Sequence, residues 1–482
     1  MFENLIGFNI IWFVIPIIGI WLLPRSLADV ARLIALIASL QIVLIWTDIL
    51  TNFDFAELGY QYKHDFSTLM PNSIAEFSVG VDGFSLSLIL MTVLIMPLCI
   101  YASINIIKNV NEFLICLLLI ELCLIISFYT TNLFIFFIFF ESILIPMFII
   151  IGYWGSRDRK IKAAYYFFFY TLFGSIFMLF GLLYLSTLVG SLNYIVLDNQ
   201  QFSLQTHLLL FVLFFVPFAV KIPMLPFHIW LPEAHVEAPT IGSVILASLL
   251  LKLGSYGFLR FTIPLFWYGV SYFSVLIDVL AVLSVIYASL VTIRQIDMKR
   301  IIAYSSIAHM NLIVLGLFAL NQHGIDGAIY LMLGHGIVSS GLFFCVGILY
   351  DRYHTRLLKY YGGLAIVMPL FVIFFVLFTL ANMSFPGTSN FIGEFVILLG
   401  IFSRNSFIAF CAGTGIVLSA LYSIWLFNRI CFGTLKTKYI HDYQDLALHE
   451  YQILLILFCI QLFLGLYSRT VFDLIWGNSY PT

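Results

Sequence analysis

Lys221 and Lys252 are the residues of this sequence best placed to do chemistry. Each stands in the apolar surroundings of VKIPMLPFHIWLPEAHVEAPTIGSVILASLLLK, residues 220–252. A charged side chain in hydrocarbon is costly, and where it occurs it marks an ion or proton pathway by default. Glu141, His309, His335 and Glu394 stand in other apolar runs of the same chain. At ~1.5 Å per residue, Glu141 lies ~15 Å into its run, half of a ~30 Å hydrocarbon core. Lys252, His309 and His335 fall near the same depth. Lys221 lies nearer one side, just before a proline break, and Glu394 follows a second break. These residue types suit proton transfer. In poor solvent an amine gives up its proton more readily and a carboxyl holds its own more tightly, while pairing the two opposes both effects. Moving the partner therefore switches a lysine. Arginine does not titrate in this way, and histidines add relay points that change charge near neutrality.

The elements that must hold these residues are membrane spans. Of 482 residues, 62% are hydrophobic and only 10% are charged, with a formal net charge of −2. That composition calls for counting spans rather than soluble domains, and it gives no reason to expect nucleic acid. Apolar runs long enough to cross a bilayer fall at 4–23, 29–47, 84–107, 112–129, 131–152, 164–189, 207–230, 240–261, 271–292, 300–319, 326–350, 364–401, 406–430 and 452–473. The fold class is thus all-α, a polytopic membrane protein with about 14 transmembrane helices. Runs seven and twelve are broken, the seventh by Pro217, Pro223 and Pro226, the twelfth by the Ser384–Thr388 stretch SFPGT. Non-helical backbone at membrane depth is tolerated only where protein or a water-lined cavity satisfies it.

The broken runs also disclose a repeat. Glu141 and His309 are 309 − 141 = 168 positions apart, and Lys221 and Glu394 are 394 − 221 = 173 apart. Five helices separate each pair. An odd number inverts the second unit, and inverted repeats with broken helices are a transporter signature. The expected organisation is 1–110 (helices one to three with an outer loop), 111–262 (first repeat, helices four to eight), 263–435 (second, inverted repeat, helices nine to thirteen) and 436–482 (helix fourteen). An even number of spans puts both termini on one side. Of the twenty basic residues outside the two buried lysines, sixteen then fall on the other side, and only Lys63, Arg260, Arg404 and Arg469 join the termini. The basic side is the cytoplasm or mitochondrial matrix. The Phe-, Ile- and Tyr-rich composition tilts the choice to an organelle, so the expected location is the mitochondrial inner membrane, with a bacterial plasma membrane as alternative. The first apolar run is expected to be a span rather than a cleavable leader.

Other chemistry finds no support. The seven cysteines lie in apolar runs without CxxC spacing, so neither a disulfide framework nor a cluster is expected. No GxGxxG follows a strand, no phosphate-binding loop is present, and no metal-ligand spacing occurs. No cofactor and no metal are expected in this chain, and the driving energy must come from a gradient or another subunit. Plainer readings exist. A buried Glu–Lys pair can simply hold helices together, and an intramembrane histidine is more often a packing residue. His228 and His235 lie in or beside a polar link, either solvated or supplying protons. Glu121 and Asp278 could partner a lysine or face a subunit interface. Yet a scaffold could discard six titratable groups at comparable depth and save several kcal/mol.

The residues also resemble a known family. KIPMLPFHIWLPEAHVEAPTIGSVILASLLLKLGSYGFLRF (221–261), FESILIPMFIIIGYWGSRDRKIKAAYYFFFYTLFGS (140–175), MKRIIAYSSIAHMN (298–311), LMLGHGIVSSGLFFCVGILYDRYHTR (331–356) and ANMSFPGTSNFIGEF (381–395) resemble the chain 4 family of proton-translocating NADH:ubiquinone oxidoreductase, respiratory complex I. These are antiporter-like subunits, related to chains 2 and 5 of that complex and to multisubunit sodium/proton antiporters. The resemblance implies that Glu141 faces Lys221 and that Lys252 is the central lysine. It implies that His309 and His335 connect the centre to a second half-channel, where Glu394 is terminal. A lysine is usual there in chains 2 and 5, so the glutamate favours chain 4. It also implies that NADH, FMN, iron–sulfur clusters and ubiquinone belong to other subunits, and that the partners are other membrane-arm subunits, including chains 2 and 5, within the lipid bilayer. A sodium/proton antiporter subunit and a purely structural membrane subunit are the competing readings.

Overall fold

The structure is a computed structural model that describes residues 5–55, 57, 59–65, 76–437, 439–440 and 442–476. Helix follows the apolar runs throughout. The elements are α1 (Leu5–Leu22), α2 (Ala28–Thr51), α3 (Gly83–Ala102), α4 (Val110–Tyr129), α5 (Leu133–Trp154), α6 (Lys160–Val189), α7 (Leu204–Lys221), α8 (Trp230–Glu237), α9 (Thr240–Leu265), α10 (Trp267–Arg294), α11 (Met298–Phe318), α12 (Gln322–Tyr353), α13 (Pro369–Asn382), α14 (Ser389–Arg404), α15 (Ser406–Cys431), α16 (Leu448–Leu466) and α17 (Ser468–Trp476). Among the described residues, twelve helices are long and apolar enough to cross a membrane, and Ile10–Leu22 and Pro369–Asn382 are shorter apolar helices. The chain is therefore an all-α, multi-span membrane protein. Lys438, counted on the basic side, lies outside the described residues, as do residues 1–4 and 477–482.

The chain forms two compact units. One comprises Met1–Val220, Tyr256–Tyr272 and Arg469–Thr482; the other comprises Lys221–Ser255 and Phe273–Ser468.

In the first unit a short antiparallel pair, β1 (Gln61–Asp65) and β2 (Ser78–Val81), lies in register His64 to Val79 and Asp65 to Ser78. It leads directly into α3. Asp82 caps that helix, its Oδ1 accepting from Ser85 N at 3.0 Å while Asp82 N donates to Ser85 Oγ at 3.0 Å, a reciprocal box that satisfies orphan donors. The same carboxylate accepts from Arg260 Nη2 at 2.5 Å. Arg260 stands among the rings of Tyr60, Tyr256 and Phe84, 5.1, 5.5 and 6.0 Å from their centroids. It is thus a part-buried helix residue, where the sequence had counted it as a loop charge. Burial pushes the Asp82 carboxyl up, and Arg260 together with the Ser85 hydrogen bonds pulls it down further, to below the usual carboxylate range. A depressed carboxylate stabilises the fold above its unfolded pKa, and that contribution is lost as pH falls through the folded one. Arg260→Met is therefore expected to lower the thermal midpoint at neutral pH, with the gap to wild type closing as pH falls. Midpoints measured across the acid range check this, and a gap independent of pH would show that the guanidinium acts by packing alone.

In the second unit α12 and α14 make the most extensive helix pair. Their approach depends on glycine. A Cβ at Gly393 would lie 2.8 Å from Leu331 N, and one at Gly327 would lie 2.5 Å from Ile397 N. Small residues that let backbones touch are the usual device for helix association in lipid. The apolar windows of α9 and α12 are completely buried and that of α11 nearly so, whereas those of α15 and α16 are one-third buried. Polar residues on α9, α11 and α12 therefore have protein around them.

Both breaks are present. Helix α7 stops at Lys221, and irregular backbone runs to the 3₁₀ turn Phe227–Ile229. The freed Leu225 N–H donates to Ser284 Oγ of α10 at 3.1 Å. The second break separates α13 from α14. There Ser384 and Gly387 take positive φ (59° and 94°), Phe385 N donates to Leu380 O at 3.0 Å, and Asn382 Nδ2 donates to Ser423 Oγ at 3.2 Å. Protein groups take up the loose backbone, as they must where water is scarce.

Candidate functional site

The second unit gathers four of the titratable residues into one series. Lys252, fully buried on α9, has Nζ 3.0 Å from His335 Nδ1 of α12. The His335 ring lies 5.4 Å from that of His309 on α11, centroid to centroid. His309 Nδ1 lies 2.9 Å from Glu394 Oε1 of α14. None of the four is more than 3% exposed. The remaining ring nitrogens, Nε2 of His309 and of His335, have no hydrogen-bond partner among the described residues. Buried polar atoms of that kind call for ordered water.

Local backbone aims the lysine. On either side of it α9 loosens into π-helical turns, Leu246–Leu250 and Phe258–Thr262. Such bulges are frequent at functional sites because they turn side chains and free carbonyls. Lys252 Nζ donates to Ala247 O inside the first of them at 2.7 Å. With that bond made, the ammonium shares its next proton with His335. A protonated lysine donates to Nδ1, and a neutral one accepts from it.

Lys221 is the last residue of α7 and is 2% exposed. Glu141 is half-buried in α5, two residues before the distortion at Ile143 that divides the helix into Leu133–Ser142 and Leu144–Trp154. Both sit at a helix irregularity, but they fall to different compact units, Glu141 to the first and Lys221 to the second. His228 is 7% exposed in the 3₁₀ turn after the first break, 5.4 Å from the Tyr287 ring. His235 is completely buried and stacks on Phe343 at 4.7 Å. The sequence left both as possible solvent-facing loop residues; neither is, because α8 folds the polar link back into the unit.

Two other intramembrane acids separate. Asp278 on α10 is paired with Arg404 at 3.3 Å. Glu121 on α4 is fully buried in the first unit, and neither carboxylate oxygen has a hydrogen-bond partner among the described residues.

Sequence reasoning missed the cluster that fixes the polar link. Arg356, 1% exposed, pairs with Glu237 at 3.0 Å and Asp297 at 2.7 Å and donates to Val236 O. Beside it Lys299 Nζ donates to Ala238 O at 2.8 Å. Both bases had been counted as loop charges. The signal that could have found them is the pairing of acids and bases in three alternate polar links, those that carry Glu237, Asp297 with Lys299, and Arg356. Among the described residues no group of three or more His, Cys, Asp or Glu could hold a metal ion.

Residues 130–421, more than half of the chain, match the family model described as NADH:quinone oxidoreductase/Mrp antiporter, transmembrane. The chain is 49% identical over 440 residues to NADH-ubiquinone oxidoreductase chain 4 of Marchantia polymorpha, covering 89% of each chain. The chain belongs to the NADH-ubiquinone oxidoreductase chain 4 family. A chain 4 from Arabidopsis thaliana is 48% identical over 462 residues, covering 95% of this chain and 93% of that one. Among solved structures, a chain of respiratory complex I from Thermus thermophilus with bound NADH superposes with a TM-score of 0.84 at 27% identity, covering 99% and 98%. The chain 4 relationship thus spans every helix that carries Lys221, Lys252, His309, His335 or Glu394.

Proposed function

We propose that this chain is a membrane-arm subunit of respiratory complex I that translocates protons, driven by NADH oxidation and quinone reduction in other subunits. The observation that carries the reading is the buried series Lys252–His335–His309–Glu394, with its two close contacts of 3.0 and 2.9 Å. A helix-packing role needs no such series. Two histidines between a lysine and a carboxylate form a graded set of sites able to pass one proton in steps. Glu141 and Lys221 act as the switch: a change in their charge state alters the field at Lys252, which then gives its proton to His335 and onward to Glu394. His228 serves proton entry. The chain holds no redox centre; FMN, iron–sulfur clusters, NADH and ubiquinone belong to partner subunits. Its neighbours include chains 2 and 5. The protein sits in the mitochondrial inner membrane with both termini on the intermembrane-space side.

The test uses the native complex reconstituted in vesicles. Proton uptake on addition of NADH and quinone is expected, independent of sodium. Proton movement that follows a sodium gradient and ignores NADH would make the chain an antiporter subunit instead.

A further inference from the structure

Glu394 faces a second space besides His309. A small cavity lined by both residues and by Ala412, Ser419 and Tyr422 of α15 leaves about 10 Å³ in which a water centre can lie, room for about one water. Glu394 Oε2 has no hydrogen-bond partner among the described residues, although the side chain is only 3% exposed. Tyr422 is 1% exposed, and its hydroxyl has no hydrogen-bond partner among the described residues. The outer face of α15 is apolar and exposed, with Phe407, Phe410, Val417 and Leu421. Its inner face turns serine and tyrosine toward the carboxylate. Packing alone would be met by phenylalanine at 422; a buried hydroxyl demands a partner.

We propose that Tyr422 positions the Glu394 proton through a single water held in this cavity, which makes α15 part of the proton path. The inference rests on the proton-translocation reading above. The water accepts from Tyr422 O–H and donates to ionised Glu394 Oε2. When a proton arrives from His309 on Oε1, Oε2 becomes the carbonyl oxygen of the neutral acid and keeps accepting from the water. Tyr422 keeps its own proton throughout, and no bond other than O–H or N–H is made or broken.

The test uses the whole complex carrying Tyr422→Phe, which removes only the hydroxyl, or Ala412→Leu, which fills the cavity and leaves Tyr422 in place. NADH-driven proton uptake is expected to fall about fivefold in each, the effect of one lost hydrogen bond on a transfer step. The infrared carbonyl band that disappears in Glu394→Gln is expected to shift in both. An unmoved band in assembled Tyr422→Phe complex, or wild-type uptake by it, overturns the proposal. If Ala412→Leu complex assembles poorly, the band and uptake of Tyr422→Phe decide alone. Lys252→Ala keeps the two readings apart. Wild-type uptake in Lys252→Ala sinks proton translocation through this chain, whereas loss there with none in Tyr422→Phe sinks only the role of Tyr422.

Discussion

Lys252→Ala is expected to cut NADH-driven proton uptake by about tenfold or more while the complex still assembles, and Lys252→Arg is expected to do no better. A positioned proton donor contributes about 10²–10⁴-fold to a transfer step; the lower figure allows for other routes through the complex. Alanine also removes the Nζ contacts to Ala247 O and His335 Nδ1. The arginine variant makes the argument specific. A guanidinium keeps the charge and can reach the same acceptors, but it does not release its proton at any physiological pH. If Lys252 merely held α9 to α12, arginine would restore much of the activity. If its proton moves, arginine is as inert as alanine. The measurement is proton uptake per assembled complex, with assembly read on native gels. Arginine activity near wild type would return Lys252 to a structural role.

The residues of this series were legible because a charge in an apolar run is conspicuous in any sequence. Lys252, His309, His335 and Glu394 stood out singly; their contacts did not. That Lys252 meets His335 depends on α9 lying against α12, and that Glu394 reaches His309 depends on α14 packing on α11, both tertiary facts without a local signal. The π-helical turns around Lys252 were equally silent, since LASLL and FLRFT read as ordinary apolar helix. Charge counting failed in an instructive way. It treats every basic residue between runs as solvated, and so it assigned Arg260, Lys299 and Arg356 to loops. The structure part-buries Arg260 against Asp82 and buries Lys299 against Ala238 O and Arg356 against the Glu237–Asp297 pair. The proline breaks were visible because proline and glycine act on backbone directly. What satisfies them, Ser284 at the first and Ser423 at the second, comes from helices distant in sequence.

Arg356→Ala is expected to act on stability before it acts on transport. One guanidinium joins Glu237, at the end of α8, to Asp297, which caps α11 by accepting from Lys299 N at 3.1 Å. Its third contact, to Val236 O, fixes the link that carries His235. Removing one partner of a buried ion pair leaves the others charged and unsolvated, at a cost of about 3–5 kcal/mol. Here two carboxylates are orphaned together, so the upper part of that range applies. A loss of that size is a large part of the stability of most domains, and the first readout is less assembled complex and a lower thermal midpoint. Arg356→Lys keeps the charge but cannot span both carboxylates with a planar fork, so it should rescue only partly. Replacing Arg356, Glu237 and Asp297 together by apolar residues of similar volume should restore more stability than lysine does, because it removes the buried charges instead of orphaning them. Normal abundance and heat stability in Arg356→Ala would show that water reaches this cluster and that it does not hold the polar link. A stable complex with proton uptake reduced as far as in Lys252→Ala would instead place Arg356 on the proton path itself.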